Sequence, residues 1–227
     1  MGWVVIHHCN ILPCHCIEKD GFESQEDAQE WADFMMKNRG IRNVGKLGND
    51  GKCCIYYIEY LEAKSMIREV YEKLCCGDIN AYPPALDMSK WSVVHACKDP
   101  MHRNVVGYTG RGCPKDNPEY LWAERGNRLA LNIVDAPSSL FFDKSMIDKA
   151  LEFIEQKLSE GLKVLVHCNQ GESRSASICL LYLIKHGIIK GETFEDCEAE
   201  FMKLYPEYNP GAGMRGFVKE HWKEYLK

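Results

Sequence analysis

The sequence has no long apolar run and no strong net charge. No apolar stretch in its 227 residues approaches the about 20 consecutive apolar residues of a membrane-spanning helix. The 28 Lys and Arg residues nearly balance the 33 Asp and Glu residues, which leaves a formal net charge of −5. The composition therefore gives no reason to expect nucleic acid or an anionic membrane surface as the main partner.

The N-terminus also lacks the marks of a targeting signal. "MGWVVIHHCN" has no basic region before a long apolar stretch, and Ile6 stands where a myristoylation signal has Ser or Thr. The chain contains 12 cysteines, and adjacent pairs occur at Cys53-Cys54 and Cys75-Cys76. Without a secretion signal, such cysteines indicate reduced thiols rather than a disulfide framework. We therefore expect a soluble, cytoplasmic protein.

The sequence shows no complete zinc motif. The densest group of metal-ligand residue types comprises His7, His8, Cys9, Cys14, His15 and Cys16. A structural zinc site usually combines two ligand pairs that are separated by a loop. These six residues form a single dense group, and the sequence shows no evident second pair. We interpret these residues as ordinary strand and turn residues, keep zinc as the minor alternative, and expect neither a metal nor a cofactor.

Two β-prone segments and two helical patterns predict a small N-terminal module. Strands are predicted for residues 3–8 and 52–60. Ser24 is placed to cap a helix with Asp27, and the helical spacing continues through Ala28, Trp31 and Met35. A second helix is predicted over residues 62–75, ended by Gly77. The segment "GDINAYPPALD" contains two prolines and is typical of a linker. We therefore expect a β-α-β-α accessory module at residues 1–80 and a second domain at residues 86–227.

The second domain alternates predicted strands and helices. The predicted strands are residues 91–96, 128–134 and 162–167. The helix between the last two is predicted to begin with Ser145 and Asp148 as a capping pair and to end at Gly161, and a further helix runs to Gly187. The long polar stretch 97–127 is expected to be functional or folded on itself. This alternation predicts an α/β fold with a mostly parallel central sheet flanked by helices.

The segment "HCNQGESRS", residues 167–175, lies between a predicted strand and a predicted helix. A short turn at a helix N-terminus directs successive N–H groups into one concavity that favours negative charge. Cys168 stands at its entrance, and the guanidinium fork of Arg174 suits two phosphate oxygens. An acyl-transfer thiol would need a histidine base beside it, whereas His167 is better placed to orient the loop. The arginine and the ring of amides therefore favour attack on phosphorus.

This segment resembles the His-Cys-x5-Arg-Ser/Thr loop of cysteine-dependent protein tyrosine and dual-specificity phosphatases. The resemblance covers about residues 85–227 and is closest to the small dual-specificity branch. The wording of this loop and of "VVHACKDP" also resembles viral or bacterial members of the family. It implies a cysteinyl-phosphate on Cys168 and a phosphate-binding loop. That loop would comprise Asn169, Gln170, Gly171, Glu172, Ser173 and Arg174, with Glu172 and Ser173 contributing N–H groups rather than side chains. "YNPGAGMRGFVKEHW" resembles the stretch that follows the loop in this family.

The resemblance also implies an upstream general acid and a hydroxyl that eases departure of the thiolate. Asp135 in "NIVDAPSS" fits the acid, since it follows a strand and precedes a helix. Asp143 competes for this role, although a helix N-terminus explains it better. Ser175 fits the hydroxyl, and a helix-start hydroxyl is its plainer explanation.

Three functional hypotheses follow. The first is a phosphatase of phosphotyrosyl proteins, with phosphoserine and phosphothreonine as further substrates. The second is a phosphatase of nucleotides, RNA 5′ ends or small metabolites, because Lys98, His102, Arg103 and Arg111 would line an enlarged entrance unless they belong to a solvated loop. The third is a phosphate-binding module without turnover, against which the intact Cys, Arg and Asp weigh. Glu172 argues against a highly anionic lipid headgroup.

Overall fold

The computed structural model describes residues 2–9, 14–22, 24–27, 29–30, 54–61, 66–82 and 86–226. The chain forms two compact units, Met1–Lys64 and Ser65–Lys227. Side chains are described for residues 24–27, 29–30, 66–82 and 86–226.

The N-terminal unit contains a three-stranded antiparallel sheet. Its strands are β1 (Gly2–Cys9), β2 (Cys14–Phe22) and β3 (Cys54–Leu61), in the order β2-β1-β3. The predicted strands at 3–8 and 52–60 are confirmed as β1 and β3. A helical segment follows Ser24, whose hydroxyl accepts a hydrogen bond from the Asp27 backbone N–H at 3.1 Å, as the predicted cap requires. Residues Ala28, Trp31 and Met35 lie outside the described residues.

The helix predicted over residues 62–75 is wrong. Residues 67–75 belong instead to a β-hairpin of β4 (Ile67–Tyr71) and β5 (Leu74–Gly77), turned at Lys73 with a positive φ of 67°. Strand β5 lies inside the large sheet and is buried along its whole length, so its apolar run reflects two covered faces rather than helical periodicity. The boundary predicted near residues 80–86 consequently lies before Ser65.

The C-terminal unit is built on a six-stranded sheet in the order β4-β5-β9-β6-β8-β7. Its remaining strands are β6 (Trp91–His95), β7 (Trp122–Arg125), β8 (Arg128–Leu131) and β9 (Lys163–His167). The four inner strands are parallel, and the two edge strands pair antiparallel with their neighbours. The predicted mostly parallel sheet is therefore confirmed, and β9 lies at its centre.

Helices cover this sheet. They are α1 (Arg103–Val106), α2 (Lys144–Ser159), α3 (Arg174–Lys185), α4 (Phe194–Leu204) and α5 (Ala212–His221). Short helical turns lie at Ile79–Ala81, Lys98–His102, Ser139–Phe141 and Trp222–Tyr225. Helix α3 is buried from Arg174 to Ile184 because it packs against β9, α2, α4 and α5. The core therefore surrounds the strand and the helix on either side of "HCNQGESRS".

The start of α2 corrects a further prediction. The carboxylate of Asp143, not Ser145 with Asp148, caps this helix by accepting a hydrogen bond from the Ser145 backbone N–H at 2.9 Å. Asp148 instead contacts Lys144 and Tyr225. The predicted end is confirmed, since Gly161 follows the helix with a φ of 84°.

Candidate active site

The loop after β9 is held at the carboxyl edge of the sheet. Its backbone is tied to the neighbouring segment by hydrogen bonds from Cys168 N to Gly77 O and from Ile79 N to Asn169 O, each 3.4 Å. Gly171 has a φ of 83°, and a Cβ there would lie 3.0 Å from Asp78 N and 2.6 Å from Met66 Cε. Glycine is therefore required at this position both by conformation and by space.

The thiol of Cys168 lies inside the concavity of this loop. Its Sγ is 3.2 Å from the backbone N of Gly171, which donates a hydrogen bond, and 3.3 Å from the hydroxyl of Ser175. That hydroxyl also lies within reach of Gly171 O and Gly77 O. A backbone donor and a hydroxyl are therefore both directed at the sulfur of this residue type, whose nucleophilic form is the thiolate.

Arg174 begins α3 and closes the other side of the loop. One terminal nitrogen donates to Ile133 O at 3.2 Å, and the other donates to the Asn169 side-chain oxygen at 2.9 Å. Its Nε is buried and has no hydrogen-bond partner among the described residues. A buried guanidinium N–H without a partner is costly, so this group is available for an anion held in the loop.

Asp135 reaches the same site from the segment after β8. Its Oδ1 accepts a hydrogen bond of 3.0 Å from the Ser173 hydroxyl, which itself accepts one of 3.2 Å from Gly211 N. Asp135 is exposed and lines a cavity of about 540 Å³ together with Lys98, Tyr120 and Phe141. Asp143 is the α2 cap. The structure thus places a sulfur and a guanidinium in one loop and links a carboxylate to that loop through Ser173, which are the groups that acid-assisted phosphoryl transfer uses.

Comparison with known proteins agrees with this geometry. Residues 116–196 match the model of the dual specificity phosphatase catalytic domain. The Mus musculus dual specificity protein phosphatase 8 is 28% identical over 129 residues, which are 55% of this chain and 18% of that protein. The Xenopus laevis dual specificity protein phosphatase 1-A is 44% identical over 66 residues, 29% of this chain and 18% of that protein.

The segment that contains the loop is therefore similar to the catalytic domain of dual-specificity phosphatases. A solved structure of human tyrosine phosphatase-like serine/threonine/tyrosine-interacting protein supports the same fold, with a TM-score of 0.50, 23% identity and coverage of 71% of this chain and 98% of that one. The chain covers about a fifth of the length of the curated relatives that it matches first.

Two buried histidines support this loop. His95 Nδ1 lies 2.6 Å from His167 Nε2, and His167 Nδ1 lies 3.4 Å from Cys168 O. Tyr82 stacks on His167 with ring centroids 5.7 Å apart. Burial lowers the pKa of His95 to about 3 and that of His167 to about 4. Both rings are therefore neutral at neutral pH. In this arrangement His95 Nδ1–H donates to His167 Nε2, and His167 Nδ1–H donates to Cys168 O. These contacts agree with the expectation that His167 orients the loop.

The polar stretch 97–127 folds on itself. His102 is fully buried, with Nε2 2.9 Å from Glu119 O, so its predicted place at the entrance is wrong. Arg103 contacts the Asp99 carboxylate and lies over the Tyr108 ring. Lys98 donates to Arg111 O at 2.8 Å and lines the cavity beside Asp135. Of the four predicted entrance residues, Lys98 alone lines this cavity.

Two side chains of the loop have contacts that the sequence did not suggest. Ser173 bonds to Asp135 through its hydroxyl rather than contributing only its N–H group. Asn169 accepts from Arg174 and donates to Asp99 O at 3.1 Å. Gln170 is exposed and Glu172 is half-buried. The sequence shows that Ser173 and Asn169 are polar, but it does not show that Asp135 and Asp99, which lie in distant segments, are among their partners.

No helix among the described residues is long and apolar enough to cross a membrane.

Proposed function

We propose that this protein hydrolyses phosphomonoesters through a cysteinyl-phosphate intermediate. The observation that carries the proposal is the position of Cys168 Sγ, which receives the Gly171 N–H and lies beside Ser175 within a loop closed by Arg174. Phosphoryl transfer needs positioning and charge stabilisation more than any other contribution from the protein, and this loop supplies both.

In the first step, the Cys168 thiolate attacks phosphorus while the ester oxygen leaves. The loop N–H groups and Arg174 hold the non-bridging oxygens, and the protonated Asp135 carboxyl donates its proton to the leaving oxygen.

In the second step, Asp135, now a carboxylate, takes a proton from a water molecule that attacks the phosphorus of the intermediate. The sulfur–phosphorus bond breaks, inorganic phosphate forms, and Cys168 leaves as a thiolate. The Ser175 hydroxyl, 3.3 Å from the sulfur, stabilises that thiolate by a hydrogen bond. Asp135 regains its proton, so the site returns to its starting state without a metal or cofactor.

Phosphorylated protein is the substrate that we propose, with phosphotyrosine and phosphoserine or phosphothreonine as the accepted residues. The match to the dual specificity phosphatase domain supports this class. No observation favours nucleotides or RNA, because two of the four basic residues invoked for them, His102 and Arg103, are engaged inside their own loop.

The test is hydrolysis of an aryl phosphate in the presence of a chelator, followed by a comparison of phosphotyrosyl peptides, phosphothreonyl peptides, nucleotides and 5′-phosphorylated RNA. We expect inhibition by vanadate and loss of turnover in Cys168→Ser, with phosphopeptides preferred. Phosphate binding without turnover at any pH would contradict the enzymatic proposal, and preference for nucleotides or RNA would contradict the substrate class.

We further propose that the protein acts in the cytoplasm, where a catalytic thiolate is kept reduced. The seven cysteines with described side chains are all free thiols, which suits that compartment. Subcellular fractionation of the untagged chain tests this. We also propose that the N-terminal unit is an accessory module that recruits a substrate, covers the active site or mediates self-association.

A further inference from the structure

The sheet of the N-terminal unit brings metal-ligand residue types into register. In the pairing of β1 with β2, His7 is opposite Cys16, His8 is opposite His15, and Cys9 is opposite Cys14. The register is continuous over these three pairs. In the pairing of β1 with β3, Cys9 is also opposite Cys54.

Register determines which of these residues share a face. Directly opposed residues lie on the same face of an antiparallel sheet, and consecutive residues along a strand alternate between faces. One face therefore carries His7, Cys9, Cys14, Cys16 and Cys54. His8 and His15 lie on the opposite face.

The shared face has the ligand types of a zinc site. Zinc in structural sites is held tetrahedrally by four Cys or His residues. Opposed positions on a ladder have Cβ atoms roughly 4.5–5.5 Å apart, and positions i and i+2 are about 6.6 Å apart along a strand. Two adjacent opposed pairs thus form a compact four-cornered patch around one point.

We propose that His7, Cys9, Cys14 and Cys16 bind one structural Zn²⁺ on this face of the sheet. The three cysteines bind as thiolates, each releasing its proton on coordination, and the histidine binds as a neutral ring. The site cross-links β1 to β2 at the end of the ladder that carries Cys9 and Cys14.

The pairing of the strands supplies what the sequence by itself lacked. Along the chain these residues form one crowded group, and the two spaced ligand pairs that a zinc site needs are not apparent. Pairing β1 with β2 converts this group into two cross-strand pairs, His7 with Cys16 and Cys9 with Cys14. It also removes His8 and His15 from the ligand set, which makes them a matched control.

The experiment measures zinc in the full-length, untagged chain by plasma mass spectrometry after dialysis against metal-free buffer with a reductant. A Cys168→Ser background keeps the active-site thiolate from contributing metal. We expect about one zinc per chain, and loss of most of it in Cys14→Ser and in Cys9→Ser. Cobalt substitution should give the absorption bands of a tetrahedral thiolate site.

Two control variants separate metal binding from folding. His8→Ala combined with His15→Ala should keep the zinc, because these residues lie on the other face. Cys16→His should also keep it, since histidine remains a ligand. The proposal is overturned if the parent chain contains no zinc, if the His8 and His15 variant loses it equally, or if peptide mapping finds a Cys9–Cys14 disulfide in the parent.

Discussion

At the residue scale, Ser173 links the phosphate-binding loop to the segment that carries the proposed acid. Its hydroxyl donates to Asp135 Oδ1 and accepts from Gly211 N. A Cβ at Gly211 would lie 2.9 Å from Asp135 Oδ1 and would displace this carboxyl group. Ser173 therefore fixes where the carboxyl group stands relative to the leaving oxygen.

Replacing this hydroxyl should weaken acid catalysis selectively. General acids contribute roughly 100- to 10,000-fold to rate, so we expect Ser173→Ala to lose about tenfold against alkyl or phenyl phosphates, whose leaving groups need a proton. Substrates with highly acidic leaving groups should be hydrolysed at nearly the parent rate. The measurement is the dependence of kcat on leaving-group pKa, with Asp135→Ala as the reference. An equal loss for all leaving groups would show that Ser173 acts on the loop instead.

The buried histidine pair makes stability depend on pH. The pKa of His95 is about 3 and that of His167 about 4 in the folded chain, both below the usual value of about 6.5 in an unfolded chain. As the pH falls below about 6.5, these histidines become protonated in the unfolded chain but not in the folded one. The free energy of unfolding therefore decreases until the pH reaches the pKa values of the folded chain.

We expect the free energy of unfolding to fall by about 2 kcal/mol per buried histidine between pH 7 and pH 5. Urea titrations at the two pH values measure this loss. His95→Asn should reduce the pH dependence. A His95 variant with the full parental pH dependence would contradict the assignment.

At the element scale, the hairpin of β4 and β5 is part of the catalytic unit. Strand β5 pairs parallel with β9, and Gly77 O accepts hydrogen bonds from Cys168 N and Ser175 Oγ. A chain that lacks β5 would expose the edge of β9 and lose these supports of the active-site loop.

Two truncations test this boundary. We expect a chain beginning at Ser65 to fold and to hydrolyse an aryl phosphate at a rate within a fewfold of the full chain. A chain beginning at residue 86 should be insoluble or should lose most activity, because it lacks a buried strand of the sheet. Circular dichroism and kcat/KM give the comparison. Full activity of the shorter chain would restore the boundary near residues 80–86.

The elements that were predicted correctly are those with a local signal. The apolar spacing of α2 and the strand-loop-helix pattern around Cys168 can each be recognised within one continuous stretch of sequence. Strand β5 was mistaken for helix because "LCCG" is a short apolar run whose conformation is decided by its neighbours β4 and β9. Periodicity alone does not separate a doubly covered strand from a buried helix.

At the scale of the whole molecule, the chemical groups of the site could be read from the sequence but most of their contacts could not. Cys168, Arg174 and Ser175 belong to one nine-residue segment. The bond of Arg174 to Ile133 O and that of Ser173 to Asp135 join segments about 40 residues apart, and the sequence contains no local pattern for either. The support of His167 by His95 likewise depends on the parallel pairing of β6 with β9.

Because these contacts hold the loop of Cys168 and Arg174 in the folded unit, oxyanion binding to the loop should stabilise the folded state of that unit. A ligand at 100 times its Kd adds about 2.7 kcal/mol to the free energy of unfolding. We expect tungstate to raise the Tm of the Cys168→Ser chain, in which the anion is held by the loop amides and Arg174 without a thiolate. Adding Arg174→Lys should remove most of that rise, because lysine cannot supply the guanidinium Nε or a planar fork.

Each variant is compared with itself in the absence of tungstate, so a lower starting Tm does not affect the result. An equal rise with and without Arg174 would mean that the anion binds elsewhere.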